Sequence, residues 1–294
     1  MSCTIIPAPS RLGLHAAGVE ELPNALLDAG LATALDAPVT EPVAPPAWSP
    51  DIDPGHGVMN GESIAAYSVA LAGVVADVLD RDRFPVVLGG DCSILLGCLA
   101  GARRRGRVGL LFLDGHADFY QPEAEPTGEA ASMELGFATG RGPRLLTDID
   151  GPGPLVCDSD VVVVGHRDHA VAAGDGSRPL ASSITAFDLD AVRSLGAVGT
   201  ARRVVAEPTR PYWIHLDADV LDDRLMPAVD YRVPDGLSWE ELEIILGVAL
   251  KSGQAVGLDV TIMNPRLDPD RSLTLELREL LSRVLASAWR PSYL

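Results

Sequence analysis

The chain has 294 residues, 47% of them hydrophobic, which is enough for one large core or two modest ones. Its 23 Lys and Arg stand against 41 Asp and Glu, a net charge of −18 that disfavours a nucleic-acid partner or an anionic membrane surface and would suit a cationic ligand. Four scattered cysteines, Cys3, Cys92, Cys98 and Cys157, form neither a disulfide framework nor a C-x-x-C zinc pattern, so reduced thiols in a cytoplasmic protein are expected.

The first six residues lack a charged start followed by a long apolar stretch, so no signal peptide is expected. No run of about 18 apolar residues is evident, so no membrane span is expected either. Residues 37–57 carry Pro38, Pro42, Pro45, Pro46, Pro50 and Pro54 and read as a long surface loop or lid. A helix is predicted over 61–79. The run Phe84-Pro85-Val86-Val87-Leu88 then reads as a strand ending in Gly89-Gly90, followed by a helix over 93–105. Strands follow at Val108-Gly109-Leu110-Leu111-Phe112-Leu113 and, after a Gly/Pro-rich stretch over 140–154, at Val161-Val162-Val163-Val164. Trp213-Ile214-His215-Leu216 and Ala255-Val256-Gly257-Leu258-Asp259-Val260 complete the strands. Helices are predicted over 238–251, with Ser238 and Glu241 as a capping box, and over 273–288. Continuous apolar runs are strands buried on both faces. The expected fold class is therefore α/β, a three-layer α-β-α sandwich with a mainly parallel central sheet, as a single domain over 1–294.

Ligands of such sheets bind beyond the carboxyl ends of the strands. Asp91 and Cys92 follow the first of these runs, and Asp114-Gly115-His116-Ala117-Asp118 the second. His166, Arg167 and Asp168 follow the third, Asp217-Ala218-Asp219 and Asp222 the fourth, and Asn264 the fifth. Carboxylates packed this densely repel one another unless a cation compensates them. A D-x-H-x-D block and a D-x-D block, each behind a buried strand, therefore predict a site for two divalent cations. His215 lies two residues before Asp217, on the same strand face, and reads as a buried histidine or an orienting neighbour. Arg167 and Asp168 read as an ion pair near the rim, with His166 and His169 as candidate proton carriers. Asp230 and Tyr231 lie in a long loop, where they read as loop residues or as ligand contacts.

These blocks resemble those of the arginase and agmatinase (ureohydrolase) family of binuclear manganese hydrolases. The family's G-G-D-H-S appears as Gly89-Gly90-Asp91-Cys92-Ser93, its D-A-H-x-D as Asp114 to Asp118, and its S-x-D-x-D-x-x-D-P as His215 to Asp223. Its G-L-R-D-x-D is echoed at Gly165 to Ala170 and its D-x-x-E-x-N-P at Asp259 to Pro265. The resemblance spans nearly the whole chain. It implies two divalent ions, Mn2+ in the family with Zn2+ or Fe2+ as alternatives here. Asp114 and Asp217 would bridge them, Asp118 would complete one ion, and His116 and Asp219 the other. It also implies hydrolysis of a non-peptide C–N bond in a guanidino- or amidino-type small molecule. A metal-bridging hydroxide would attack and Asp118 would orient it. A homo-oligomer is compatible with it.

Departures from the pattern limit the substrate. Cys92 stands where the family places a ligating histidine, and is either a thiolate ligand or a small buried thiol. In ungapped register, the family's proton-shuttle histidine falls on Ala131 and its carboxylate-contacting asparagine on Glu129. Its ammonium-binding aspartate falls on Ala170 and its guanidinium-pairing glutamate on Ile262. Glu129 and Glu134 are the candidate substrate contacts. The pattern predicts a hydrolase of something other than ordinary arginine, such as a hydroxyguanidine (hydroxyarginine). The alternative is an inactive arginase-like metal-binding or interaction protein.

Overall fold

A computed structural model describes residues 2–207 and 210–289. Seven strands form its sheet: β1 Cys3–Ala8, β2 Phe84–Gly89, β3 Gly109–Leu113, β4 Val161–Val164, β5 Thr185–Phe187, β6 Tyr212–Asp217 and β7 Ala255–Thr261. Their spatial order is β1-β2-β7-β6-β3-β4-β5, and every pairing is parallel. The helices in chain order are α1 Leu22–Asp28, α2 Leu31–Leu35, α3 Gly61–Asp80, α4 Leu95–Arg103, α5 Glu134–Ala138, α6 Arg144–Thr147, α7 His169–Gly174, α8 Leu189–Ala206, α9 Trp239–Lys251 and α10 Ser272–Trp289.

Strand alternation builds a core on each face of the sheet. Val86, Leu111, Leu113, Val162, Val164, Ile214 and Leu216 pack on one side with residues of α8, α9 and α10. Val87, Leu110, Phe112, Val161, Val163 and Trp213 pack on the other with α3 and α4. Burial on both faces explains why the strands read as unbroken apolar runs. Helix α9 starts with the expected capping box: Ser238 accepts from the Glu241 N–H while the Glu241 carboxylate accepts from the Ser238 N–H.

Helix α3 has the length and mean hydropathy, 1.5, of a membrane-crossing helix, but half of that stretch is buried. It packs on α4 and buries Ile64, Tyr67, Leu71 and Val75 in the core. The Gly/Pro-rich stretch over 140–154 contains the short helix α6. Residues 37–57 form no helix; their contacts with the rest of the chain include bridges from Val39 to Ile5 and from Ile52 to Met59.

One glycine fixes the loop that presents Cys92. A methyl on Gly90 would lie 1.7 Å from the backbone oxygen of Ser10. That oxygen accepts from the Asp91 N–H, and the Gly90 oxygen accepts from the Ile262 N–H. Gly90→Ala should therefore destabilise the fold by about 3 kcal/mol, because backbone must move to admit the methyl. A lower urea midpoint with an unchanged m value would show it.

Candidate metal centre and its cavity

Beyond β3 the chain turns toward β4, while beyond β6 it turns toward β7, on the opposite side of the β3–β6 pair. Divergent connections open a crevice at the carboxyl ends of these two strands. Asp114, His116 and Asp118 enter it from β3, and Asp217 and Asp219 from β6; Cys92 reaches in from the turn after β2. Asp118 holds a φ of 42°, a left-handed conformation uncommon outside glycine, which turns the chain sharply within the block.

Two sub-clusters share Asp114. In the first, His116 Nδ1 lies 2.9 Å from Asp219 Oδ2, and Asp114, His116 and Asp219 place their donor atoms within 4.8 Å of one another. Burial alone would lower the His116 pKa, but the Asp219 charge and hydrogen bond outweigh it and raise it. Burial works to raise Asp219, yet His116, the Gly115 N–H and Arg167 carry it down to about 2. The second sub-cluster is anionic. Cys92, Asp114, His215 and Asp217 bring donor atoms within 4.8 Å, as do Cys92, Asp114, Asp118 and Glu134. Burial, reinforced by neighbouring charges, raises Asp114, Asp118, Asp217 and Glu134 well above the ordinary carboxylate range. Burial and then Asp217 likewise raise Cys92, whose thiol donates to Asp217 Oδ2 at 2.9 Å.

Several buried acceptors here have no hydrogen-bond donor: Asp114 Oδ2, both Glu134 oxygens and His215 Nε2. Unmatched buried acceptors of this kind require protons or cations. Oxygen-rich sets with one imidazole or one thiol fit hard or borderline divalent ions. His215 is held by Asp259, whose Oδ2 lies 2.5 Å from Nδ1, and it stacks on Phe112 at 4.7 Å between centroids. Its Nε2 lies 3.8 Å from Asp114 Oδ2, so the ring is only half satisfied and turns its free nitrogen toward the cluster. Asp91, by contrast, serves the turn: it accepts from the Ser93 N–H and the Ser10 hydroxyl.

A cavity of about 460 Å³ opens over this floor. Cys92, His116, Asp118, Asp217 and Asp219 line it, together with Glu125, Glu129, Asp168 and Asp230. Seven carboxylates against Arg232 and His116 make its surface strongly anionic. Glu129 is preorganised: it accepts from the His15 N–H at 2.6 Å and from the Tyr231 hydroxyl at 2.8 and 2.9 Å. Asp230 accepts from Asn264 Nδ2 at 2.9 Å. Asp230 and Tyr231 thus belong to the cavity wall rather than to a bystander loop.

The geometry corrects three expectations. Glu134 does not line the cavity; it is fully buried behind the floor, beside Cys92 and Asp118. Rather than pairing with Asp168, Arg167 donates to the backbone oxygens of Asp219, Leu221, Val233 and Pro234. Asp168 accepts from the Ala117 N–H and faces the cavity. His166 and His169 line no part of the cavity: the first is buried with its pKa lowered by burial, and the second is exposed. At the positions of interest, Ala131 and Ile262 line the wall, and Ile262 holds a φ of 71°, a strained conformation for a β-branched residue.

A family model described as Arginase family matches residues 1–286. Curated relatives include an arginase of Brevibacillus brevis, 32% identical over 220 residues, covering 73% of this chain and 72% of the relative. Human Arginase-1 is 31% identical over 276 residues, covering 90% of this chain and 85% of its own. The solved arginase of Bacillus caldovelox superposes with a TM-score of 0.86 at 27% identity, covering 97% of this chain and 98% of that one. A proclavaminate amidinohydrolase of Streptomyces clavuligerus shares the fold, with a TM-score of 0.70 at 18% identity. With the parallel sheet, the crevice at its switch point and the acidic floor, these likenesses place the chain in the arginase family.

Proposed function

We propose that this chain hydrolyses a linear, non-peptide C–N bond in a cationic guanidino- or amidino-type small molecule, with two divalent ions, manganese the expected metal. Five side chains carry this reading: Asp114, His116, Asp118, Asp217 and Asp219 converge beneath one anionic cavity. When bound, such an ion pair supplies a hydroxide nucleophile near neutral pH. Asp114 and Asp217 would hold both ions, His116 and Asp219 one of them, and Asp118 with Cys92 the other. Asp118 would also accept the hydrogen bond that aims the nucleophile at the substrate carbon. Glu129, fixed by Tyr231 and His15, would receive a positive end of the substrate.

The leaving nitrogen needs a proton, and neither Ala131 nor Ile262 has one to give. Substrates with a less basic leaving group depend less on an acid. This favours hydroxyguanidines, hydroxyarginine among them, over arginine. Positioned general acids contribute roughly 10²-fold or more, so the manganese-loaded protein should show a kcat/KM for a hydroxyguanidine about 10²-fold above that for arginine. Equal values would remove the leaving-group argument. No turnover of any guanidino compound at full metal loading would favour the inactive metal-binding reading.

Cys92 provides a separate check. Replacing it by His should leave two ions per chain and shift preference away from zinc toward manganese, by about tenfold, the scale of a changed ligand environment. A rise from one ion to two would instead mark Cys92 as a non-ligating thiol.

A further inference from the structure

Among the described residues, Glu134 alone buries both carboxylate oxygens without a hydrogen-bond partner. It opens α5, has no exposed surface, and neither carboxylate oxygen has a hydrogen-bond donor. Its segment, Ala130 to Ala138, is otherwise small or apolar apart from Ser132, and Met133, Leu135 and Phe137 around it are wholly buried. Water cannot solvate it there, and a lone buried carboxylate costs several kcal/mol unless a proton or cation answers it. What faces it is anionic or acidic: Cys92, Asp114 and Asp118 place their donor atoms within 4.8 Å of one another and of Glu134.

Position 92 is where the resembled pattern has an imidazole, and here the side chain is shorter by a ring. We propose that Glu134 is a ligand of the ion held at Cys92, adding from α5 an oxygen donor beside the thiol that stands in place of the imidazole. The proposal rests on the two-ion reading above and deepens it. Cys92 and Asp118 line the cavity while Glu134 does not, so its carboxylate serves the metal floor and not the substrate. With Glu134 the set at this ion becomes dominated by carboxylate oxygens, a donor set suited to manganese. Its orphaned oxygens and Asp114 Oδ2 then acquire one common partner.

The test is equilibrium dialysis against Mn2+ followed by elemental analysis of wild type and Glu134→Gln. Gln is isosteric and removes an unsolvated charge, so the metal-free fold should survive, which a thermal melt checks. Wild type should take two ions per chain. Glu134→Gln should keep one ion tightly, at His116 and Asp219, and bind the second at least tenfold more weakly. Glu134→Asp, which keeps the charge but withdraws it by a methylene, should show the same selective loss. Two ions with unchanged affinity in Glu134→Gln would overturn the proposal and leave Glu134 sharing a proton with Asp118. If wild type itself took no ion, the two-ion reading would fail first, and the ligand assignment with it.

Discussion

Replacing Asp217 by Asn should empty both metal positions at micromolar Mn2+ and lower kcat/KM by about 10³-fold or more, equivalent to several kcal/mol of transition-state stabilisation. The fold should survive the change. Asp217 ends β6 and accepts from the Asp219 N–H at 2.7 Å, which an Asn Oδ1 can still do. The carboxylate is fully buried, and the Cys92 thiol donates to its other oxygen. Asn would lose the negative charge and leave an amide where that oxygen stands, so each ion would lose one of the two ligands they share and keep Asp114 alone. Metal content and turnover are thus expected to fall together while the circular dichroism spectrum stays unchanged. An active Asp217→Asn variant would rule out the proposed mechanism.

Metal removal should have the second-largest effect, and it should depend on pH. Asp114, Asp118, Glu134 and Asp217 are all held above their ordinary values, 3.8 for aspartate and 4.5 for glutamate, by burial first and then by neighbouring carboxylates. A raised carboxyl stabilises the fold while protonated. That contribution is complete below its unfolded value and disappears as pH rises through the folded one. The metal-free protein should therefore lose stability from about pH 4 upward. Asp219 has the opposite sign, but its contribution is lost only as pH falls toward about 2, outside this window. Bound cations need the same ligands deprotonated, so added manganese should restore stability as pH rises. At a thousandfold excess over Kd the gain is about 4 kcal/mol, or about 6 °C in Tm for a chain of this size. Thermal melts with and without EDTA between pH 5 and pH 8 would check both signs.

Much of this was legible in the sequence, for identifiable reasons. Strands β2, β3, β4, β6 and β7 are buried on both faces, so each shows as a largely continuous apolar run, and the residues able to hold a metal follow β2, β3 and β6. Strand β1 was not legible because Thr4 and Pro7 interrupt it; it is an edge strand, where a missing N–H is tolerated. Strand β5 is three residues long at the other edge. Helix α8 was hidden by Gly196, which breaks its helical geometry with a φ of 67°, and by exposed Leu195 and Val198, which blur its periodicity.

At the site, the carboxylate and histidine blocks were plain because spacing along one strand end fixes their proximity. Glu129 lines the cavity and Glu134 does not, because the path from Asp118 to α5 is set by tertiary packing and not by any local period. The one available sign was a single acid inside the apolar run Ala130 to Ala138. His215 offered a similar sign, a histidine between apolar strand residues. Its Asp259 partner lies 44 positions away and is adjacent only through the β6–β7 register.

Metal analysis of the wild-type protein, giving identity and atoms per chain after purification and after manganese reconstitution, bears most directly on whether this crevice is a binuclear hydrolytic centre. Two ions per chain, manganese favoured over zinc, are expected. No bound ion after reconstitution, with the fold intact, would contradict it and leave the acidic floor as a cluster of shared protons.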